Sequence, residues 1–438
     1  MRPFQDDKDL VLVFSAQSQI NREEMVYLLD SFQKALDKRE ARSARRRLTV
    51  LPTNAADFSS NDFLSLSSSS LLRSRFLHNL NASYCPSSNP SPSLGSGGSR
   101  LLDGNSAYAE ELEKFIARFH DAPSGLLFNS GFDANVGVFS CLPQPGDIIV
   151  YDELIHASVH EGMRLSRAKK KIQFAHNSVS DLERVIQEII NDGSTSLQHE
   201  YNVFIAVETL YSMDGDIAPL EQITPLLQKY FPERNAYLIV DEAHATGVFG
   251  PNGAGVVQEL GVEDQIFIRT HTFGKSLASQ GAIVLCDPLT KEYLINYART
   301  LIYTTAMSKP SLIAIRSAYE LLAEGQTQLF QSNLQNNISY FQSRCDEMGH
   351  RIESSVLHIE SNPRSPIFSF RAKLPRELAR FCQEHGLIVR PIMAPTVPLG
   401  KERVRVCLHA GNTRQEMDKL LDTIEKWAAQ QYHLVAKL

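Results

Sequence analysis

The stretch Tyr237-Leu-Ile-Val-Asp-Glu-Ala-His244 decides how this chain folds. Its first four residues form a short apolar run of the kind buried on both faces of a parallel sheet. An acid follows at once, and an imidazole three positions later. In open α/β sheets ligands bind beyond the carboxyl ends of the strands, so Asp241 and His244 occupy a site position. A strand, an acid and a nearby histidine can serve a metal, a catalytic triad or a cofactor, and these eight residues do not choose among them.

The same pattern recurs on either side. Short apolar runs at 125–128, 148–151, 203–207, 266–270 and 282–286 alternate with helical patterns such as 181–190 and 220–230. That alternation predicts a mostly parallel sheet flanked by helices. Residues 108–119 place Leu112, Phe115, Ile116 and Phe119 on one helix face, and 308–324 predict a long connecting helix before mixed α and β segments. We therefore expect an N-terminal helical segment over 1–58, a large domain over 59–307 and a smaller α/β domain over 308–438. In the first segment an amphipathic pattern over 22–47 (Met25, Leu28, Leu29, Phe32, Ala35, Leu36) ends in Arg45, Arg46 and Arg47. Such a basic run is a solvated face or an anion contact. The Ser-, Pro- and Gly-rich stretches 65–70 and 87–99 read as loops.

Composition narrows the class. Over 438 residues, 43% are hydrophobic and 21% charged, as in an ordinary globular protein. The net charge of −6 supplies no global field for nucleic acid or anionic lipid. Six cysteines with no CxxC pair argue for reduced thiols rather than a metal or disulfide framework. No apolar run approaches the roughly 18–20 residues of a membrane span. Asp6, Asp7 and Asp9 argue against a secretory signal or an acid-poor mitochondrial presequence. The terminal Ala436-Lys437-Leu438 is a variant of the Ser-Lys-Leu peroxisomal address, so a peroxisomal location is expected, with the cytoplasm otherwise.

Further chemistry lies past the next strand, where 266–270 runs into His271-Thr-Phe-Gly-Lys275. A lone lysine usually faces solvent. Here it shares a chain with Asp241, His244 and Ser130-Gly-Phe132, the last a helix start suited to phosphate. An amine nucleophile, an acid, an imidazole and an anion cradle are the set that pyridoxal 5'-phosphate (PLP) requires. The glycine-rich Gly95-Ser-Gly-Gly-Ser-Arg100 fails as a dinucleotide fingerprint, because Arg100 stands where GxGxxG needs glycine and no strand leads into it.

Nine motifs in order carry a family likeness: Ser60-Asn-Asp-Phe63, Gly95–Arg100, Asn129-Ser-Gly-Phe132, His156-Ala-Ser158, Ser212-Met-Asp-Gly-Asp216, Asp241–His244, Thr272-Phe-Gly-Lys275, Leu301-Ile-Tyr-Thr-Thr305 and Pro395-Thr-Val-Pro398. Over roughly residues 57–426 the chain resembles the α-oxoamine synthases, PLP enzymes of fold type I. The resemblance implies that Lys275 holds the cofactor as a Schiff base and shuttles a proton. It implies that Asp241 pairs with the pyridine nitrogen, that His156 stacks on the ring, and that Ser212 and His244 face the phenolic oxygen. Ser130, Gly131, Phe132 and Thr272 would hold the phosphate or ring edge. Thr304 and Thr305 would contribute across the interface of a homodimer. Asn61, Glu208 and Arg405 would line the substrate site, Arg405 gripping a carboxylate with its planar fork.

The implied reaction is a decarboxylative condensation of an amino acid with an acyl-CoA. The branch most resembled serves biotin biosynthesis and joins L-alanine to pimeloyl-CoA. Relatives use glycine with succinyl- or acetyl-CoA, or serve specialised metabolism, and some are non-catalytic partner subunits that have lost the lysine retained here as Lys275. One departure bears on the acyl chain: bacterial members of the biotin branch carry arginine just before Pro-Pro-Thr-Val-Pro, whereas this chain has Met393-Ala394-Pro395, with Arg390 three positions earlier.

Overall fold

The computed structural model describes residues 27–42, 44–50, 52, 54–84, 93–191, 201–233 and 235–435. Met25, Asp6, Asp7, Asp9, Cys85, part of the 87–99 loop and the terminal Ala436-Lys437-Leu438 lie outside the described residues. The chain divides into two contact units, Met1–Thr53 and Asn54–Leu438. In the first, residues 27–41 are helical, as the amphipathic pattern predicts.

The second unit holds three sheets. The strands are β1 (Ala56–Asp57), β2 (Ser124–Phe128), β3 (Ile148–Asp152), β4 (Lys170–Phe174), β5 (Val203–Glu208), β6 (Ala236–Asp241), β7 (Ile268–Thr272), β8 (Ala282–Cys286), β9 (Leu357–Ser361), β10 (Ile367–Ala372), β11 (Leu387–Ile388), β12 (Arg390–Ile392) and β13 (Arg403–Cys407). Seven form the central sheet in the order β2-β8-β7-β6-β5-β3-β4. Within it β8 alone runs antiparallel to its neighbours. Apolar clusters cover both faces, Val240, Ile205 and Val150 packing on one side and Ile239, Phe204 and Ile149 on the other. Burial of alternate residues on opposite faces explains why these strands read as continuous apolar runs. This is the α/β architecture expected from the sequence.

The remaining strands make a four-stranded antiparallel sheet, β12-β13-β10-β9, and the short parallel pair β1-β11. That pair moves the first boundary: Ala56–Asp57 hydrogen-bonds with Leu387–Ile388, so the N-terminal unit ends at Thr53 and not at 58. The passage at 307/308 is a change of sheet within one contact unit, spanned by the helix Lys309–Ala323, which Ser308 caps. The 65–70 loop is also shorter than expected, because Ser69 accepts from the Leu72 amide and starts a helix over Ser70–Ser83. The five cysteines among the described residues are free and buried. Among the described residues no helix is long and apolar enough to cross a membrane.

Candidate active site

The carboxyl ends of β5, β6 and β7 bring three predicted groups together. Glu208 and Asp241 are register partners on adjacent parallel strands, so their carboxyl groups leave the sheet side by side. Lys275 follows β7 by three residues. Its amine is desolvated, which lowers its pKa from the ordinary lysine value, while Asp241 and then Glu208 pull it back up and Arg405 lowers it. Glu208 shifts the opposite way: burial first, and the neighbouring Asp241 second, hold its carboxyl well above the usual carboxylate range. The site therefore contains a carboxyl group that holds its proton more firmly than a free one, beside a lysine that gives up its proton more readily.

Asp241 is anchored twice. Its Oδ1 accepts from the Ala243 amide at 2.9 Å, and its Oδ2 accepts from Asn135 Nδ2 at 2.7 Å. Asn135 is almost fully buried in the helix Gly131–Cys141 and also donates to Ser158 Oγ at 3.0 Å. Ser158 Oγ in turn lies 2.7 Å from His156 Nδ1, which also accepts from the Ser158 amide. His156 caps the helix Ala157–Leu165 and is exposed by surface area, which leaves its ring open to a planar ligand. Desolvation near its ring lowers the pKa, Asp241 raises it, and Lys275 lowers it again.

Asn135 was not apparent from the sequence. Its only signal is a single amide on the helix Gly131–Cys141, one turn past the phosphate-type motif and followed by the apolar run Val136–Phe139.

The anion cradle is at the start of the same helix. Ser130 caps it, accepting from the Asp133 amide at 3.0 Å. The first amides of a helix lack partners within it and attract anions. Gly131 is required by close approach, since a Cβ there would stand 2.2 Å from Thr272 Oγ1. Phe132 is half exposed beside it. Asn129 Nδ2 donates to Thr304 Oγ1 at 3.1 Å and to the Thr305 carbonyl at 2.8 Å. The Gly95–Arg100 loop backs this segment: the Ala306 amide donates to the Gly98 carbonyl, and Ser96 Oγ donates to the Ala306 carbonyl at 2.8 Å. Arg100 is engaged by buried Glu113, an ion pair that ties the loop to the helix Ala107–Phe119.

Arg405 enters from the second sheet. Its Nη1 donates to the Ser212 carbonyl at 3.0 Å and its Nη2 to Asn61 Oδ1 at 3.2 Å and the Ser59 carbonyl at 3.3 Å, while its buried Nε has no hydrogen-bond partner among the described residues. His244 is buried, its Nδ1 without a hydrogen-bond partner among the described residues, and desolvation, then Lys275 and Arg405, hold its pKa well below the ordinary histidine value. Ser212 contributes its carbonyl to Arg405. Arg390 is the register partner of Arg405 on β12, so the two share a sheet face. Arg45 and Arg47 in the N-terminal unit are exposed and face Glu40 at 3.7 Å.

A separate recess of about 670 Å³, lined by Asp121, Tyr237, Phe267 and Arg269 among others, lies at the opposite ends of the strands and takes none of these groups. No cluster of metal-ligating side chains occurs among the described residues.

The donors fit PLP: the helix start at Ser130 would hold its phosphate, the doubly anchored Asp241 its ring nitrogen and the buried His244 imidazole its ring oxygen, with the desolvated Lys275 amine free to take the aldehyde carbon. Fold and site together define a PLP-dependent transferase of fold type I.

The chain belongs to the aminotransferase class I and II family, whose sequence profile matches residues 53–424. It is 60% identical over 400 residues to the 8-amino-7-oxononanoate synthase of Emericella nidulans, covering 91% of this chain and 96% of that one. The solved 8-amino-7-oxononanoate synthase of Francisella tularensis is 30% identical with a TM-score of 0.68, covering 87% of this chain and all of that one. The serine palmitoyltransferase of S. paucimobilis, solved with PLP and myriocin bound, shares the fold at a TM-score of 0.75 and 23% identity, covering 94% and 99% of the two chains.

Proposed function

We propose that this chain is an 8-amino-7-oxononanoate synthase, condensing L-alanine with pimeloyl-CoA and releasing CoA and CO2. The observation that carries the chemistry is the convergence of the desolvated Lys275 amine with Asp241, Glu208 and Arg405. The relative at 60% identity over 91% of this chain supports the choice of substrates.

When bound, PLP supplies an electron sink that makes the amino acid's Cα acidic. Lys275 would hold the cofactor until the amino acid's amine displaces it, and the freed amine, its pKa lowered by desolvation, would take a proton from Cα and return one. Asp241, held by Asn135 and the Ala243 amide, would face the ring nitrogen and favour a proton there. Arg405 grips the amino acid's carboxylate, and its position against Ser212 and Asn61 orients Cα toward the thioester. A C–C bond forms between Cα and the thioester carbonyl carbon as the C–S bond to CoA breaks. The original carboxylate then leaves as CO2, and Cα takes up a proton.

The proposal includes a homodimer in which Thr304 and Thr305 reach the partner's cofactor, and a peroxisomal location read from Ala436-Lys437-Leu438. Sedimentation of the holoenzyme tests the first, a monomer overturning it. Deletion of the last three residues from an N-terminally tagged chain tests the second. Unchanged localisation after that deletion removes the address.

CoA-thiol release across a grid of amino acids and acyl-CoAs tests the reaction. Release that needs L-alanine and pimeloyl-CoA is the expected result, and preference for another pair overturns the assignment while leaving the chemistry.

A further inference from the structure

The imidazole of His176, just past β4, lies between two carboxylates. Its Nδ1 is 2.8 Å from Asp152 Oδ1, and its Nε2 contacts Asp216 Oδ2 at shorter range. A ring that donates to two carboxylates carries both protons and a positive charge. Burial lowers its pKa, but the hydrogen bonds to Asp152 and Asp216 outweigh this and raise it to about 10. Tyr211 packs edge-on against the ring at 4.4 Å between centroids. Asn177 repeats the bridge, its amide donating to Asp152 Oδ2 at 2.9 Å and its Nδ2 to Asp216 Oδ2 at 2.7 Å.

The two carboxylates belong to different parts of the fold. Asp152 is fully buried at the end of β3. Asp216 ends the Ser212-Met-Asp-Gly-Asp216 turn, which is closed by hydrogen bonds from the Tyr211 amide to the Asp216 carbonyl and from the Gly215 amide to the Tyr211 carbonyl. The far side of the turn is tied to the second sheet: Asp214 pairs with Arg403 on β13 and, at 3.5 Å, with Arg371 on β10. Gly215 has a positive φ of 73° and lies so close to β10 that a Cβ would stand 2.3 Å from the Ile367 carbonyl oxygen. The turn thus spans the two sheets, and its Ser212 carbonyl receives Arg405 Nη1.

We propose that His176 is a positioning residue for the amino-acid substrate: by tying Asp216 to Asp152 it fixes the turn whose Ser212 carbonyl aims the Arg405 fork. The inference rests on the reading of Arg405 as the carboxylate grip. A loosened turn lets the Ser212 carbonyl drift, and the guanidinium loses one of the three contacts, to Ser212, Ser59 and Asn61, that orient its plane, the only one made by Nη1 among the described residues. Acyl-CoA does not use that fork, so the effect falls on one substrate.

The test is a double-mutant cycle on PLP-loaded protein, with amino-acid binding measured by titration calorimetry without acyl-CoA, so that no turnover occurs. His176→Gln is expected to weaken L-alanine binding by roughly tenfold, with PLP content and the KM for acyl-CoA unchanged. Arg405→Lys is expected to weaken it as well, and adding His176→Gln to that background is expected to cost less than about twofold more. Asp216→Asn carries the same test should His176→Gln lose its native circular dichroism. Equal weakening in both backgrounds, or equal loss for both substrates, overturns the inference while the reading of Arg405 stands. Unchanged binding in Arg405→Lys overturns that reading and the inference with it.

Discussion

Asn135 donates a 2.7 Å hydrogen bond to Asp241, from the helix that also forms the phosphate cradle. One helix therefore holds both ends of the cofactor site, its first turn facing the anion and its second turn fixing the acid. Asn135→Ala is expected to weaken PLP binding by about tenfold to a hundredfold, the scale of a hydrogen bond of about 1.5–3 kcal/mol to a charged group. Fluorescence titration of the apo-protein with PLP measures it, and unchanged affinity separates Asn135 from the site.

Gly131 answers to Thr272. A methyl group at 131 meets Thr272 Oγ1 at 2.2 Å, so Gly131→Ala is expected to destabilise the apo-protein by about 1–3 kcal/mol. Thr272→Ala removes the clashing oxygen and leaves Cβ at 3.4 Å, an ordinary contact. The double variant is expected to recover most of the loss in urea denaturation. Additive losses would show that the close approach is not the cause.

Lys275→Ala is expected to reduce turnover by a hundredfold or more, the scale of a positioned acid–base group. The same change removes a desolvated amine, so thermal stability of the apo-protein should hold or rise. Single-turnover thiol release and a thermal scan check the two halves. A variant that keeps its rate removes Lys275 from the chemistry.

The charged His176 makes stability depend on pH. Its pKa rises from 6.5 to about 10 on folding, so its contribution is complete below pH 6.5 and fades as pH climbs toward 10. The groups facing it, Asp152 and Asp216, are carboxylates, and Tyr211 is held protonated well above 10, first by burial. The wild-type chain is therefore expected to lose thermal stability between pH 7 and 10, and His176→Gln to show a flatter profile. Parallel profiles contradict a charged His176.

The sequence made the central sheet legible because burial on both faces leaves an unbroken apolar record, as in Tyr237-Leu-Ile-Val240. Strand β4 left none. Lys-Lys-Ile-Gln-Phe is an edge strand whose exposed residues are polar, the usual guard against edge-to-edge pairing, and it passes for a loop. Asp241, Ser130 and Lys275 were readable because each lies at, or within three residues of, the end of a strand. Asn135, and the tie from His176 to Asp216, were not. Their roles arise only when distant segments meet, and a lone amide or imidazole carries no periodic signal. The boundary at 58 shifted for the same reason, since the two residues of β1 join a strand over 300 positions later.

The central claim is a condensation that exchanges a carboxylate for an acyl group at Cα. The direct measurement supplies the PLP-loaded enzyme with pimeloyl-CoA and L-alanine labelled with carbon-13 at C1, then counts free thiol and labelled CO2. The account predicts that the two appear together in equal amounts, with no label in the amino ketone. Thiol release without labelled CO2, or a product that keeps the label, contradicts it.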